Sequence, residues 1–180
     1  MRDHLLVLGW NEKAAAAIEN FRADPRHQST DIVVVARETE KPVDDPDVRF
    51  VRGAPGRTSV LERASAANAG AAIIFPSSTE DSRCDHESVL IVTSLRRINP
   101  EIRISAELVD HDNREHLIHA GCDALIDETS TIANLLVRSV QDVGVSDVVC
   151  ELLSSHDGSE LYRAPIPSSW EGKNFRDFAR

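Results

Sequence analysis

His4-Leu5-Leu6-Val7-Leu8-Gly9-Trp10-Asn11-Glu12-Lys13-Ala14 runs apolar, halts at a glycine and passes at once into an alanine-rich segment. From Leu5 to Gly9 no side chain can hydrogen-bond, which suits a strand buried on both faces of a parallel sheet. Ala14 to Ala17, followed by Ile18 and Phe21, suits a helix packed closely on that sheet. The turn between them is a strand-to-helix corner, the place where a doubly wound sheet binds its ligands.

The same alternation continues along the chain. Asp31-Ile32-Val33-Val34-Val35-Ala36 reads as a second buried strand, and Val48-Arg49-Phe50-Val51-Arg52 as a third, less buried one ending at Gly53-Ala54-Pro55-Gly56. Ser59 and Glu62 have capping-box spacing, and Leu61, Ala64 and Ala67 stripe a helix that Gly70 should close. Ala71 to Phe75 forms a fourth strand stopped by Pro76, and Val89, Val92 and Leu95 mark a helix of roughly four turns ending at Asn99-Pro100. A fifth strand at Ile102 to Leu108, a short helix from Asp112 to Gly121 and a sixth strand at Ala124 to Ile126 complete the series. Strands alternating with helices predict an α/β fold, a Rossmann-like, doubly wound, mostly parallel sheet with right-handed crossovers.

The tail departs from this pattern. Ile132, Leu135, Leu136, Val140 and Val143 give a helix a strong apolar face with no strand left to cover, and residues 145–153 continue apolar. A second copy of the chain is the expected partner for that surface. After a polar linker, an edge strand at 161–167 and a helix at 170–178 read as the start of a small second lobe. The expected divisions are therefore 1–130, 131–153 and 154–180.

A formal net charge of -10, with no Lys/Arg cluster to offset it, excludes nucleic-acid phosphates as partner. No apolar run approaches the ~20 residues that cross a bilayer. Cys84, Cys122 and Cys150 are odd in number and widely spaced, so they are expected as reduced thiols.

The corner keeps only part of the dinucleotide fingerprint. Gly9-Trp10-Asn11-Glu12-Lys13-Ala14 retains the first glycine and puts Asn11 where the backbone would approach a pyrophosphate. The acid expected at the tip of the second strand falls on Ala36, with Arg37 and Glu38 beside it. A structural turn or another ligand competes here with a dinucleotide. Glu80, Asp81, Asp85, Glu87 and Glu107 gather near the C-terminal edge of the sheet, where a hard cation or plain solvation would suit them. His111, His116, His119 and Cys122 are spaced for a transition metal or a solvated helix, without a Cys-x-x-Cys pair. Catalytic signatures are absent: there is no Gly-x-Ser-x-Gly elbow and no Gly-Lys-Thr/Ser loop, and Tyr162 has no lysine four residues on. Cys84, Asp85 and His86 are adjacent, so on a helix they point apart.

Taken together, these stretches resemble the RCK family, the regulators of K+ conductance that form cytoplasmic gating rings under prokaryotic potassium channels. The likeness rests on the opening His4 to Asn11, Phe50-Val51-Arg52-Gly53-Ala54-Pro55, Leu61-Glu62-Arg63-Ala64, Leu95-Arg96-Arg97-Ile98, Ile104-Ser105-Ala106-Glu107, Ala120-Gly121-Cys122-Asp123 and Pro165-Ile166-Pro167. Its Gly-Trp-Asn form is similar to that of channel-linked members, whereas transporter-linked members keep three glycines and a strand-two acid.

The resemblance implies a Rossmann-like N-lobe, a helix-turn-helix crossover at 131–153 interlocking two subunits through Ile132, Leu135, Leu136, Val140 and Val143, and the start of a C-lobe. It implies a non-enzymatic cytoplasmic domain of a membrane-associated channel complex, working as a homodimer within a larger, octameric ring that pulls on a K+ channel pore. Two ligands follow from it. An adenine nucleotide (NAD, ADP or ATP) would lie over Gly9, Trp10 and Asn11, with Arg37, Glu38, Gly53, Arg57 and Ser77 around it. A divalent cation such as Ca2+ would be held by Glu107 with Glu80, Asp81 and Glu87. Calcium-gated members use a carboxylate at the end of strand four and two on strand five; this chain ends strand four at Phe75-Pro76 and has Val109 in place of the second acid. A regulatory subunit of a K+ uptake or K+/H+ antiport system is the first rival reading, and an NAD-dependent oxidoreductase the second.

Overall fold

The computed structural model of the chain describes residues 2–154, 167–170 and 172. Six strands form one sheet: β1 (His4–Leu8), β2 (Ile32–Ala36), β3 (Val48–Arg52), β4 (Ala69–Ile74), β5 (Arg103–Leu108) and β6 (Ala124–Asp127). Their order is β3-β2-β1-β4-β5-β6, and every neighbouring pair is parallel, so the sheet is wholly rather than mostly parallel. The chain turns back at β1, making the gap between the C-terminal ends of β1 and β4 the switch point where such folds place ligands. Both β1 and β2 are buried along their whole length, through the apolar runs Leu5–Leu8 and Ile32–Ala36 and through His4, whose ring nitrogen lies 3.0 Å from the Ala64 carbonyl. β3 at the sheet edge buries only Val48.

The helices cover the two faces unequally. α2 (Thr58–Arg63), α3 (Arg83–Ile98) and α4 (Arg114–Ala120) pack on one face, through Leu61, Ile91, Val92, Leu95 and Leu117 against Leu6, Leu8, Ile74 and Ile104. On the other, α1 (Glu12–Ala23) sets Ala14 and Ile18 against Leu5, Val7, Ile32 and Val34. Small alanines let α1 approach the sheet closely. The ends of β4, β5 and β6 on this second face are left open.

Four boundaries differ from the sequence reading. The residue preceding α2 is Arg57, with no side-chain cap, so Ser59 and Glu62 form no capping box. The Thr58 hydroxyl instead accepts from Arg97 Nη2 at 2.6 Å. Gly70 does not close that helix but lies inside β4, where its α-carbon passes close to Asp3; a Cβ there would lie 3.3 Å from the Asp3 α-carbon. α3 begins at Arg83, ahead of its apolar stripe, because its first turns bury Cys84, Asp85 and Ser88. Finally, α5 (Glu128–Gln141) starts ahead of the residue-131 boundary, capped by Asp127, whose carboxylate accepts from the Ser130 N–H at 3.0 Å. α6 (Val145–Leu153) follows after a left-handed Gly144. The strand expected at 161–167 and the helix expected at 170–178 fall largely outside the described residues, of which Ser168–Trp170 form a 3-10 turn.

Candidate functional site

The corner is built from the C-terminal ends of β1 and β4. Gly9 N–H donates to the Val35 carbonyl at 2.9 Å and Phe75 N–H to the Leu8 carbonyl at 2.8 Å, joining three neighbouring strands at their tips. Gly9 has φ +81, and a Cβ on it would lie 2.0 Å from the Phe75 carbonyl oxygen, so only glycine fits. Asn11 then caps α1: its Oδ1 accepts from Lys13 N–H at 3.0 Å. Its Nδ2 donates to the Pro76 carbonyl at 3.3 Å and to Glu107 Oε2 at 3.1 Å. The helix end that greets a pyrophosphate in dinucleotide enzymes is thus held by the chain's own side chain.

Of the eight residues expected around a nucleotide, Gly9, Trp10, Arg37, Glu38 and Ser77 line one cleft of about 40 Å³ at this corner. Asn11 faces β5 instead. Gly53 and Arg57 are elsewhere: Gly53 N–H closes the β2–β3 edge on the Ala36 carbonyl at 2.8 Å, and Arg57 leads into α2. α3 supplies the far wall through Cys84, Glu87 and Ser88. Across the cleft the Arg37 guanidinium is paired with Glu87. Glu38 Oε2 is buried with no hydrogen-bond partner.

Beside the cleft is a charged cluster the sequence reading missed. Lys13 Nζ is clamped between the carboxylates of Glu107, at the end of β5, and Glu128, in the first turn of α5. Burial alone would lower the Lys13 pKa, but the two carboxylates outweigh it and raise the pKa above the usual lysine value. A signal was available, since a lysine in the first turn of a helix opposes the macrodipole and calls for nearby carboxylates.

The carboxylates expected to hold a cation do not converge. Asp81 is forked by Arg83, with Nη2 to Oδ2 at 2.7 Å, Glu87 pairs with Arg37, Glu107 takes Asn11 and Lys13, and Glu80 is exposed on a loop. Each of the first three already has a cationic neighbour from this chain, which accounts for their separation. Asp85 is fully buried and accepts from the N–H groups of Val109 and Asp110, at 3.0 and 2.9 Å, and from Asn113, tying α3 to the loop after β5. The histidine set is dispersed too: His111 pairs with Asp127, and burial pushes the Cys122 thiol up. Among the described residues no cluster of three or more His, Cys, Asp or Glu is arranged to hold a metal ion.

The expected surplus of apolar surface is present. On α5 and α6, Ile132, Leu136, Val140 and Val143 are exposed, Val140 at 85% and Val143 at 99%, together with Val137, Val148 and Leu153; Leu135 is half-buried. At the root of this arm, Ile73, Phe75, Ile126 and Ile132 border an open groove of about 350 Å³ on the uncovered sheet face. Among the described residues no helix is long and apolar enough to cross a membrane.

The chain is thus a doubly wound Rossmann-like lobe with its dinucleotide fingerprint largely replaced and an apolar helical arm leaving the last strand. Residues 1–106 match the family described as the calcium-activated potassium channel slowpoke-like RCK domain, and the chain belongs to that family. It is 21% identical over 183 residues to the calcium-gated potassium channel TvoK of Thermoplasma volcanium, an alignment covering 99% of this chain and 52% of TvoK. The chain therefore spans about half the length of that relative. Among solved structures it is similar to the GsuK protein bound to ADP, with TM-score 0.64, 17% identity, and coverage of 85% of this chain and 41% of that one. The human SLO3 gating ring aligns with TM-score 0.62 and 15% identity, over 92% of this chain and 31% of that one. At these identities the structural likeness concerns the fold.

Proposed function

We propose that this chain is the ligand-sensing N-lobe and crossover arm of a potassium channel's cytoplasmic gating ring, acting by binding and not by catalysis. The observation that carries the reading is the conjunction of an altered nucleotide corner with an exposed apolar arm, joined by the Lys13–Glu107–Glu128 cluster. Residues 131–153 clasp the same segment of a second copy, and dimers build the ring; residues 1–130 carry the sensor and 154–180 open a second lobe. TvoK is named a calcium-gated channel and GsuK has been solved with ADP, which supports a ligand of one of these two kinds.

The coupling follows from position. A ligand at Gly9, Trp10, Arg37, Glu38 and Ser77 presses on the turn that carries Asn11 and Lys13, and Lys13 holds the first turn of α5 through Glu128. A small rotation of α1 therefore reaches the arm, and two copies locked by their arms convert it into a change of lobe angle.

Sedimentation velocity of the purified chain, with thermal melts in Ca2+, AMP, ADP, ATP and NAD, tests this. The expected result is a dimer whose melting temperature rises with one ligand class and that shows no hydride turnover with NAD. A monomer that no ligand stabilises would refute it.

A further inference from the structure

The cleft at the corner, at about 40 Å³, has room for little more than water, whereas pockets that enclose a small molecule run to several hundred. An ion pair narrows it. Arg37 follows the tip of β2, Glu87 projects from α3, and their ion pair crosses between the two walls. Arg37 is 63% exposed and Glu87 31%, which places the pair at the outer rim. A guanidinium lining a cleft is a bidentate donor for a ligand phosphate, and a carboxylate is the side chain that satisfies it when no phosphate is present.

Resting on the reading of this corner as a nucleotide site, we propose that Glu87 is a built-in stand-in for a ligand phosphate, closing the cleft by holding Arg37. A nucleoside phosphate enters by taking Arg37 from Glu87. This frees α3 from the β2 tip, and Glu38 Oε2, buried without a partner, becomes available to the ligand's hydroxyl groups. Affinity is thus set by competition between two anions for one guanidinium. The selected class is phosphate-bearing nucleotides.

The test is a double-mutant cycle on the full chain, using Glu87→Gln and Arg37→Met with ADP as the probe and titration calorimetry as the readout. An exposed ion pair of this kind corresponds to a factor of about two to five, so Glu87→Gln should bind ADP tighter than wild type by that factor. The gain should vanish when Arg37→Met is also present. If Glu87→Gln binds ADP no tighter, or tightens it equally without Arg37, the competition is refuted while the nucleotide corner stands. If neither wild type nor Glu87→Gln binds ADP, the corner reading fails and the proposal falls with it.

Discussion

Replacing Lys13 with methionine keeps the length of the side chain and removes only the ammonium. The two pairs it breaks are unequal. Glu128 is 44% exposed, and such a pair contributes about 0.2–1 kcal/mol. Glu107 is 9% exposed, and losing a charged donor there removes about 1.5–3 kcal/mol, with Asn11 Nδ2 as the donor left to that carboxylate in the cluster. Lys13→Met should therefore destabilise the fold by about 2–4 kcal/mol, or roughly 4–16 °C in melting temperature for a domain of this size. Urea unfolding monitored by circular dichroism measures it, and Glu107→Gln in the Lys13→Met background isolates the coupling. The double variant should recover at least about 1 kcal/mol relative to simple addition, while Glu128→Gln alone costs less than about 1 kcal/mol. Amide exchange in the first turn of α5 should rise in Lys13→Met, because that turn loses its tether to α1. Additive losses, or exchange in α5 equal to wild type, would refute the claim that this lysine ties sensor to arm.

Three further outcomes follow from the geometry of the arm, the corner and the α5 cap. Leu136→Glu with Val140→Glu should give monomers in sedimentation; the seven exposed apolar side chains of the arm amount to roughly five full burials, or about 7–15 kcal/mol before the cost of association, and two charges at their centre remove much of it. Gly9→Ala forces a left-handed residue against the Phe75 carbonyl and should cost at least about 2 kcal/mol in urea, with a loss within 0.5 kcal/mol counting against the pinned corner. Asp127 is held at about 2, against an ordinary 3.8, by the Ser130 N–H first and then by His111 and the Ser130 hydroxyl. Its folded value is the lower one, so its contribution is present above pH 4 and lost as pH falls from about 4 to 2. The stability difference between wild type and Asp127→Asn should shrink across that window in acid titrations followed by circular dichroism, and a difference that stays constant would remove the cap from the account.

The parts of the fold that could be read from sequence are those where burial is uniform. β2 and, from Leu5 on, β1 are continuous apolar runs because both faces of each are covered; at the head of β1 the buried His4 ring nitrogen is met by the Ala64 carbonyl at 3.0 Å. Where a polar side chain has a distant partner, local pattern misleads. Asp85 breaks the apolar stripe of α3 and so hid its first turns, yet the carboxylate is buried because it collects two backbone N–H groups from the loop after β5. Ser59 and Glu62 have the spacing of a cap, but that spacing also occurs inside a helix, and the nearby Thr58 hydroxyl is engaged by Arg97 of α3. The candidate site divides the same way. Gly9, Trp10, Arg37, Glu38 and Ser77 follow from topology, because strand tips at the switch point must meet. Of the carboxylates, Asp81 is paired locally by Arg83 two residues on, but Glu87 and Glu107 could be counted and not paired, since Arg37 and Lys13 arrive from other elements.

The altered fingerprint and the arm meet at the first turn of α1. A dinucleotide enzyme leaves that turn uncapped and glycine-lined, so that its N–H groups and positive dipole end meet a pyrophosphate. Here Asn11 supplies the cap, and Lys13 adds a positive charge at the positive end of the dipole, an arrangement that destabilises the helix unless anions stand close by. Glu107 and Glu128 are those anions, and they belong to β5, the last strand but one, and to the arm itself. The electrostatic demand of the helix end is thus met by protein groups in place of a cofactor. A movement at the corner must then either carry α5 with it or expose an unpaired ammonium at the wrong end of a helix, and the first of these costs less.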